Sequence, residues 1–439
     1  MARTMKLGLF WAAAGHHIAG WRHPSAEASA NENLKFIQNM VKKAESGKFD
    51  LFFLGDALDS SAVAPPSDIV RFEPLTLLTA ISTVTHHIGL IATASTTYSE
   101  PFHLARIFAS LDHLSSGRAG WNIVTTSAAR AALNFSQDVH LAHPQRYERA
   151  KEFVEVAKGL WDSWEEDTFI RNKATGQYLD TSKVHALEHK GKYFSVQGPL
   201  NVSRSPQGYP VLIQAGSSED GQSFAADIAE IIFTAQNNLE SAIEFYKSVK
   251  EKVRLAGRDP EAVKVMPGVV PIIGKTREEA LSKYQKLQDL IHIEQALRII
   301  SAILGVDVST FPLDELLPEF PETNGLKSRA QLVLNLARTK QLTVRELALE
   351  VAGSKGHHIM IGSAEEIADR LEEWFVQGGA DGFNIMPPYF PGGIDDFVDL
   401  VVPILQSRGL FRTEYEGHTL RENLGLARPV NQFLGKQHA

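Results

Sequence analysis

The chain has 439 residues, with 44 Lys and Arg against 52 Asp and Glu, a formal net charge of −8. Its hydrophobic fraction of 44% and charged fraction of 22% are those of a globular enzyme, and the lack of a Lys/Arg-rich run excludes a nucleic-acid surface. It contains no cysteine, which excludes disulfides, thiolate nucleophiles and thiolate zinc sites.

The first apolar run, "KLGLFW" (Lys6–Trp11), reads as a strand. A signal peptide is the competing reading, but the run is short, and His16, His17 and Arg22 follow at once. No run approaches the ~18 apolar residues of a membrane span, so a cytoplasmic protein without a membrane partner is expected. "NENLKFIQNMVKKAES" (Asn31–Ser46) has helical spacing, with Leu34, Ile37, Val41 and Ala44 on one face. "DLFFLGDA" (Asp50–Ala57) is a strand ending in Asp56. A helix over Glu73–Thr85, a strand over Ile88–Thr96, a helix over Phe102–Ser115 and a strand over Ala119–Thr126 follow.

The alternation resumes with strands at Pro210–Ser218, Ile231–Gln236 and Val263–Gly274, each followed by a helical pattern. "SAEEIADRLEEWF" opens with a Ser-x-x-Glu capping box, Ser363 to Glu366. "GFNIMPP" (Gly382–Pro388) is the last strand, and the last helix stops at Gly409. Eight strands that are apolar on both faces, each followed by a helix, predict a parallel sheet closed into an α/β, TIM-type (β/α)8 barrel. A doubly wound open sheet is the alternative, but no Gly-x-Gly-x-x-Gly follows the first strand. The whole chain, 1–439, reads as one barrel domain. Insertions at about 162–209 and 276–355 are expected over the strand C-termini. A tail from about 408 is expected to fold back or cross to a partner subunit.

Barrel active sites form at strand C-termini. Asp56, Thr93, Asn122, Thr125, Gln214, Ser217 and Ser218 stand there. They are mostly small, neutral hydrogen-bonding groups. They suit a polar, planar ligand better than glycoside cleavage by paired carboxylates or a metal cage, and no metal is expected. "AGSSEDGQS" places Gly-x-x-x-x-Gly (Gly216–Gly221) between a strand and a helix, with Gln222 where a phosphate-loop lysine would stand. It is either a routine helix cap or a phosphate cradle. "AHPQRYERA" puts His143 and Tyr147 four apart, on one face if the helix has begun. They could close on the same phosphate, or simply start a helix. The doublets His16–His17, His86–His87 and His357–His358 are poor metal motifs, because adjacent side chains diverge. No Gly-x-Ser-x-Gly elbow is present.

A series of motifs in a fixed order is more specific. "GWRHP" (Gly20–Pro24), "KFDLFFLGD" (Lys48–Asp56), "STTYSEPFHLAR" (Ser95–Arg106), "LDHLSSGRAGWNIVTT" (Leu111–Thr126), "HPQRYERA", "SPQGYPVLIQAGSSEDGQSFAA" (Ser205–Ala226), "ADGFNIMPP" and "TLRENLGL" span nearly the whole chain. Together they resemble the nitrilotriacetate, dibenzothiophene-sulfone and long-chain alkane monooxygenases, two-component members of the bacterial-luciferase-like superfamily. The resemblance implies an eight-stranded barrel. It implies reduced FMN (FMNH2) from a separate NAD(P)H:FMN reductase, and O2 as cosubstrate. A flavin C4a-peroxide would then oxygenate a small organic substrate, with organosulfur compounds and amines the expected class. It also implies a homodimer or homotetramer. It puts Asp56, Thr93, His143, Tyr147 and Ser218 on flavin-contact positions, with Asn122 and Thr125 on the strand flanking the ring and Ser217 in the same loop as Ser218. Alkane-oxidising members carry a Cys and a His in the first loop; here the Cys is missing, which leaves His17 as the catalytic candidate. A deazaflavin-dependent hydride transferase and a non-catalytic flavin-binding protein are the alternatives.

Overall fold

The computed structural model describes residues 3–61, 64–216, 218–318 and 327–434. Nine strands form one parallel sheet: β1 (Lys6–Trp11), β2 (Leu51–Leu54), β3 (Gly89–Ser95), β4 (Ala119–Val124), β5 (Val211–Gln214), β6 (Ile231–Thr234), β7 (Lys264–Gly274), β8 (His358–Ser363) and β9 (Gly382–Ile385). Strands β1 to β7 pair in order, β9 pairs with β7, and β1 pairs with β9, so eight strands close a barrel. The expected strands are thus present, although several stop two to four residues early. The ninth, β8, was not anticipated. It lies outside the ring, on the far half of β7 from Val269 to Gly274.

The main helices are α1 (Leu34–Ser46), α2 (Pro74–Ser82), α3 (Pro101–Leu114), α4 (His143–Trp161), α5 (Glu219–Ile228), α6 (Leu239–Leu255), α7 (Arg277–Gln288), α8 (Ile293–Leu304), α9 (Lys327–Lys340), α10 (Val344–Ser354) and α11 (Ala364–Val376). Ser363 caps α11 through the capping box with Glu366. The last helical stretch runs through Gly392–Asp396, a π-turn at Phe397–Val401 and Val402–Ser407. Among the described residues no helix is long and apolar enough to cross a membrane.

Strand side chains alternate between two cores. Leu51, Phe53, Ile91, Ile213, Phe233 and Met266 fill the barrel interior. Leu9, Phe52, Leu90, Trp121, Ile123 and Phe383 face the helices. Trp121 is fully buried among Phe108 of α3 and Phe153 and Trp161 of α4, with ring centroids 5.6 to 6.3 Å apart. Its indole Nε1 donates to the Ala94 carbonyl (3.1 Å). It is packing, and its parity turns Asn122 inward.

The two insertions part company. Residues 276–318 and 327–355 lie over the strand C-termini, where α8, α9 and α10 build a satellite core that includes Ile18 and Ala19 of the loop after β1. Residues 162–209 do not, which corrects the expectation for that segment. Helix α4 carries the chain back to the strand N-termini before the insertion starts, so the segment packs there. Gln207 Nε2 donates to Asp112, at the end of α3, and to the Ala119 carbonyl at the start of β4. Asp162 pairs with Arg204 deep in the same layer.

The C-terminal tail folds back and plugs this bottom end: Leu420, Leu424 and Leu426 join the barrel's interior core. Arg421, fully buried beside them, makes a bidentate pair with Glu230 (2.5 and 2.9 Å) and reaches the Tyr209 and Pro210 carbonyls. Removing one partner of a buried pair strands the other. Arg421→Ala is therefore expected to cost about 3–5 kcal/mol of unfolding free energy in a urea titration. A loss below about 1 kcal/mol would show that the plug does not depend on this pair.

Candidate active site

A cleft of about 670 Å³ opens above the ends of β2, β3, β4 and β5, within the size range of cofactor sites. Asp56, Thr93, Thr125, Tyr147 and Gln214 line it. The threonines are placed by the ends of β3 and β4. Strand β4 stops at Val124, and Thr126 takes a left-handed turn (φ 45°), so Thr125 has already left the strand's alternation. The Ser95 and Thr126 hydroxyls hydrogen-bond (2.7 Å), and Thr97 Oγ1 donates to the Thr125 carbonyl (2.8 Å), fixing the turn.

At one end of the cleft stands the half-buried Tyr147, whose hydroxyl is pushed up in pKa by burial, with the Ser218 and Thr125 side chains opposing the shift. Ser218 caps α5, accepting from the Gly221 N–H (3.2 Å). Gly216 and Gly221 let the strand end and the helix start touch: a Cβ on Gly221 would lie 2.9 Å from the Gly216 Cα. His143 stands one turn before Tyr147, their rings 5.0 Å apart, and its Nδ1 meets Asp220 at 3.2 Å. Ser217 lies outside the described residues.

Deeper in, a relay runs across the mouth. Asn122 Nδ2 donates to Thr93 Oγ1 (2.8 Å), which donates to the Leu54 carbonyl (2.7 Å). The buried Asn122 Oδ1 has no partner, so it is an acceptor held ready for a donor. Asp56 sits at the rim, where burial pushes its carboxyl up to about 6.

His17 is not brought together with these groups. Its Nδ1 accepts from the Ala19 N–H (3.1 Å) and its Nε2 meets Gln288 Oε1 (3.0 Å). Both nitrogens are used in fixing the first loop against α7. Its neighbour His16 turns instead into a second cavity of about 250 Å³ over the barrel axis, floored by Phe10, Phe233 and Met386. Arg71, Arg329, Lys355 and His357 also line it. None of these four basic residues was foreseen as a site residue. The doublets at positions 16–17 and 357–358 hold the only local signal for this cavity, and from the first of them the sequence points to His17, not to His16. Among the described residues no group of three or more His, Asp or Glu could hold a metal ion.

A parallel eight-stranded barrel with adjoining cavities at its C-terminal mouth defines a (β/α)8-barrel enzyme. The chain belongs to the luciferase-like monooxygenase family, whose model matches residues 12–382. It is 58% identical over 434 residues to the N-acetyl-S-(2-succino)cysteine monooxygenase of Bacillus subtilis, covering 98% of each chain. It is 45% identical to nitrilotriacetate monooxygenase component A of Aminobacter aminovorans, again covering 98% of each. Among solved structures, riboflavin lyase with modified FMN and riboflavin superposes with a TM-score of 0.87 at 33% identity, over 97% of both chains.

The raised Asp56 carboxyl fixes a pH dependence. The folded chain holds a proton that the unfolded chain releases near 3.8, so this residue's contribution to stability falls as pH rises from about 4 through about 6. Asp56→Asn removes that loss. The variant is expected to melt higher than wild type at pH 7.5 and to converge with it at pH 4.5. A constant difference across this range would show that Asp56 titrates like an exposed carboxyl.

Proposed function

We propose that this chain is the oxygenating component of a two-component monooxygenase that takes FMNH2 and O2 and oxygenates a small organic substrate carrying sulfur or nitrogen. The observation that carries this reading is the cleft itself, polar at one end around Tyr147 and Ser218 and ready with donors and acceptors at the barrel mouth. The near full-length similarity to relatives named as monooxygenases supports it over deazaflavin hydride transfer or a non-catalytic flavin carrier. The FMN in the riboflavin lyase structure and the term "component A" support the cofactor and a separate reductase partner.

The residues present fit such a group. Tyr147, Ser218 and His143 would hold the phosphate. Thr93, Thr125 and Asn122 would meet the ribityl chain and ring, and the orphaned Asn122 oxygen has the valence for a ring N–H. Bound there, reduced flavin supplies the two electrons that split O2, one oxygen passing to the substrate and the other to water. The chain's own part is to orient, to exclude water and to hold protons. Asp56, with its carboxyl near 6, can donate a hydrogen bond when protonated and accept one when ionised. His103, which lines the cleft, and His16, which lines the adjoining cavity, join His17 as candidates for holding a proton there.

Anaerobic titration with FMNH2 tests this. Stoichiometric binding is expected, followed by O2-dependent turnover once a reductase and substrate are supplied. Tyr147→Phe should weaken FMNH2 binding about tenfold, the scale of a lost hydrogen bond to a charged group. Absence of any flavin binding by the wild-type chain would overturn the reading.

A further inference from the structure

Three side chains at the rim of the cleft form a hydrogen-bonded chain that the flavin contacts leave unused. Tyr98, in the connection after β3, lines the cleft. Its hydroxyl lies 2.6 Å from His140 Nδ1, and His140 Nε2 lies 2.5 Å from Nη1 of Arg146, on the first turn of α4. Phe135, which also lines the cleft, stacks on the Tyr98 ring at 4.7 Å and 13°, so the ring is held apart from any bond its hydroxyl makes.

The protons in this chain can run only one way. A guanidinium carries donors and no acceptor, so His140 Nε2 accepts from Arg146. A neutral imidazole with a bare Nε2 carries its proton on Nδ1, and that N–H donates to the Tyr98 oxygen. Burial, and after it the Arg146 charge, lowers the His140 pKa, which keeps the ring neutral. The Tyr98 hydroxyl is thus an acceptor from His140 and keeps its own proton for another partner. Among the described residues it has no second one. Burial raises its pKa, so the proton stays in place at neutral pH. The open volume this hydroxyl borders is the cleft.

Arg146 gives the chain its bias. It is 8% exposed, its Nε is buried without a partner, and Nη1 also donates to the Leu141 carbonyl (3.1 Å). Burial lowers its pKa, and among the described residues only the phenols of Tyr147 and Tyr98 oppose that; no carboxylate does. A buried guanidinium without a counter-charge is costly. A positive charge at one end of a hydrogen-bonded chain polarises each donor along it, so the hydroxyl at the other end becomes a stronger donor. Helix α4 works in the same sense: it is 19 residues long, and its N-cap, Ala142, supplies no side-chain acceptor to the positive end.

We propose that Tyr98 is a further ligand-binding residue of the cleft, its hydroxyl donating a hydrogen bond to an electron-rich oxygen of the bound flavin, and that His140 and Arg146 are positioning residues that fix the direction and strength of that bond. The ligand rests on the monooxygenase reading, but the direction of the relay stands on the three side chains alone. Two parts of the flavin offer such an oxygen, the phosphate and the carbonyls of the ring. Riboflavin, which lacks the phosphate, separates them.

Nitrogen NMR of the histidine rings in the ligand-free full chain reads the relay first, with His140→Gln assigning the resonance. The Nδ1–H tautomer is expected in the wild type, and a shift toward Nε2–H in Arg146→Met. Nε2–H in the wild type overturns the proposal, whether or not flavin binds. Fluorescence titrations with FMN and riboflavin then read the ligand. Tyr98→Phe, which keeps the stack on Phe135, should weaken FMN about tenfold. An unchanged riboflavin affinity assigns the bond to the phosphate and an equal loss assigns it to the ring; both support the role of Tyr98. Arg146→Met should weaken FMN in the wild-type background but by less than about twofold in Tyr98→Phe, because it acts through that hydroxyl. Equal losses in both backgrounds overturn the relay. FMN affinity unchanged in Tyr98→Phe, beside a wild type that binds FMN, overturns the proposal and leaves the monooxygenase reading intact. A wild-type chain that binds no flavin overturns that reading, and with it the ligand assigned to Tyr98.

Discussion

The mouth of this barrel depends on one seam, where the first strand meets the last. β1 and β9 pair from Lys6 with Gly382 to Leu9 with Ile385. A Cβ on Gly382 would lie 2.0 Å from the Lys6 carbonyl oxygen, and one on Gly8 would lie 2.2 Å from Asn384 Oδ1. Glycine at both positions lets the strands approach and gives Asn384 room inside the barrel. Closure here is what brings the loop after β1, with His16, next to β7 and the segment leading into β8, with His357; their rings meet edge-on at 5.5 Å. In an open sheet these residues would lie at opposite edges, and the smaller cavity would not exist.

The two ends of the barrel use opposite chemistry. At the bottom, ionised carboxylates tie the strand starts together. Asp50 accepts from the Leu7 N–H and pairs with Arg412, Asp381 accepts from the Val265 N–H and pairs with Arg3, and Glu230 accepts from the Leu212 N–H and pairs with Arg421. Those charges are matched, so this end is finished without a ligand. At the top, the strand ends carry Thr93, Asn122, Thr125 and Gln214, and several polar atoms remain unmatched. Leaving buried polar atoms unsatisfied is unfavourable, and a fold tolerates it mainly where a ligand completes the set.

This division explains what could be read from the sequence. The eight barrel strands were legible because each is buried on both sides and so carries no polar alternation. β8 was not, since four of its six residues are partly exposed and it adds to a strand already serving the ring. The direction of α4 decides where residues 162–209 lie, and an insertion's composition carries no record of which end it leaves from. In the site, strand parity was enough to turn Asn122 inward and to require that Thr125 stand in a turn. The smaller cavity was beyond reach for a different reason. His16, Arg71, Arg329 and His357 come from three separate connections, each with an unremarkable local pattern, and only barrel closure and the packing of α8 to α10 bring them together.

The arrangement of the two cavities bears on how a substrate is chosen. The cleft is lined by carboxylates and neutral hydrogen-bonding groups, with Asp56 pushed up to about 6 by burial, whereas the cavity across the partition is lined by Arg71, Arg329 and Lys355 with one carboxylate, Asp68. A molecule without hydrogen-bonding groups entering the smaller cavity would cover the Ser67 hydroxyl and the His16 Nδ1 without satisfying them. Discrimination of that kind comes from the penalty on the wrong ligand as much as from contacts to the right one. It is also steeper than discrimination by shape, because a missing methylene changes binding by about 1–3 kcal/mol while a stranded buried polar group changes it by more. The apolar floor of Phe10, Phe233 and Met386 cannot supply such selectivity by itself. The polar groups above it, the Ser67 hydroxyl and the His16 Nδ1 among them, supply what an apolar floor cannot.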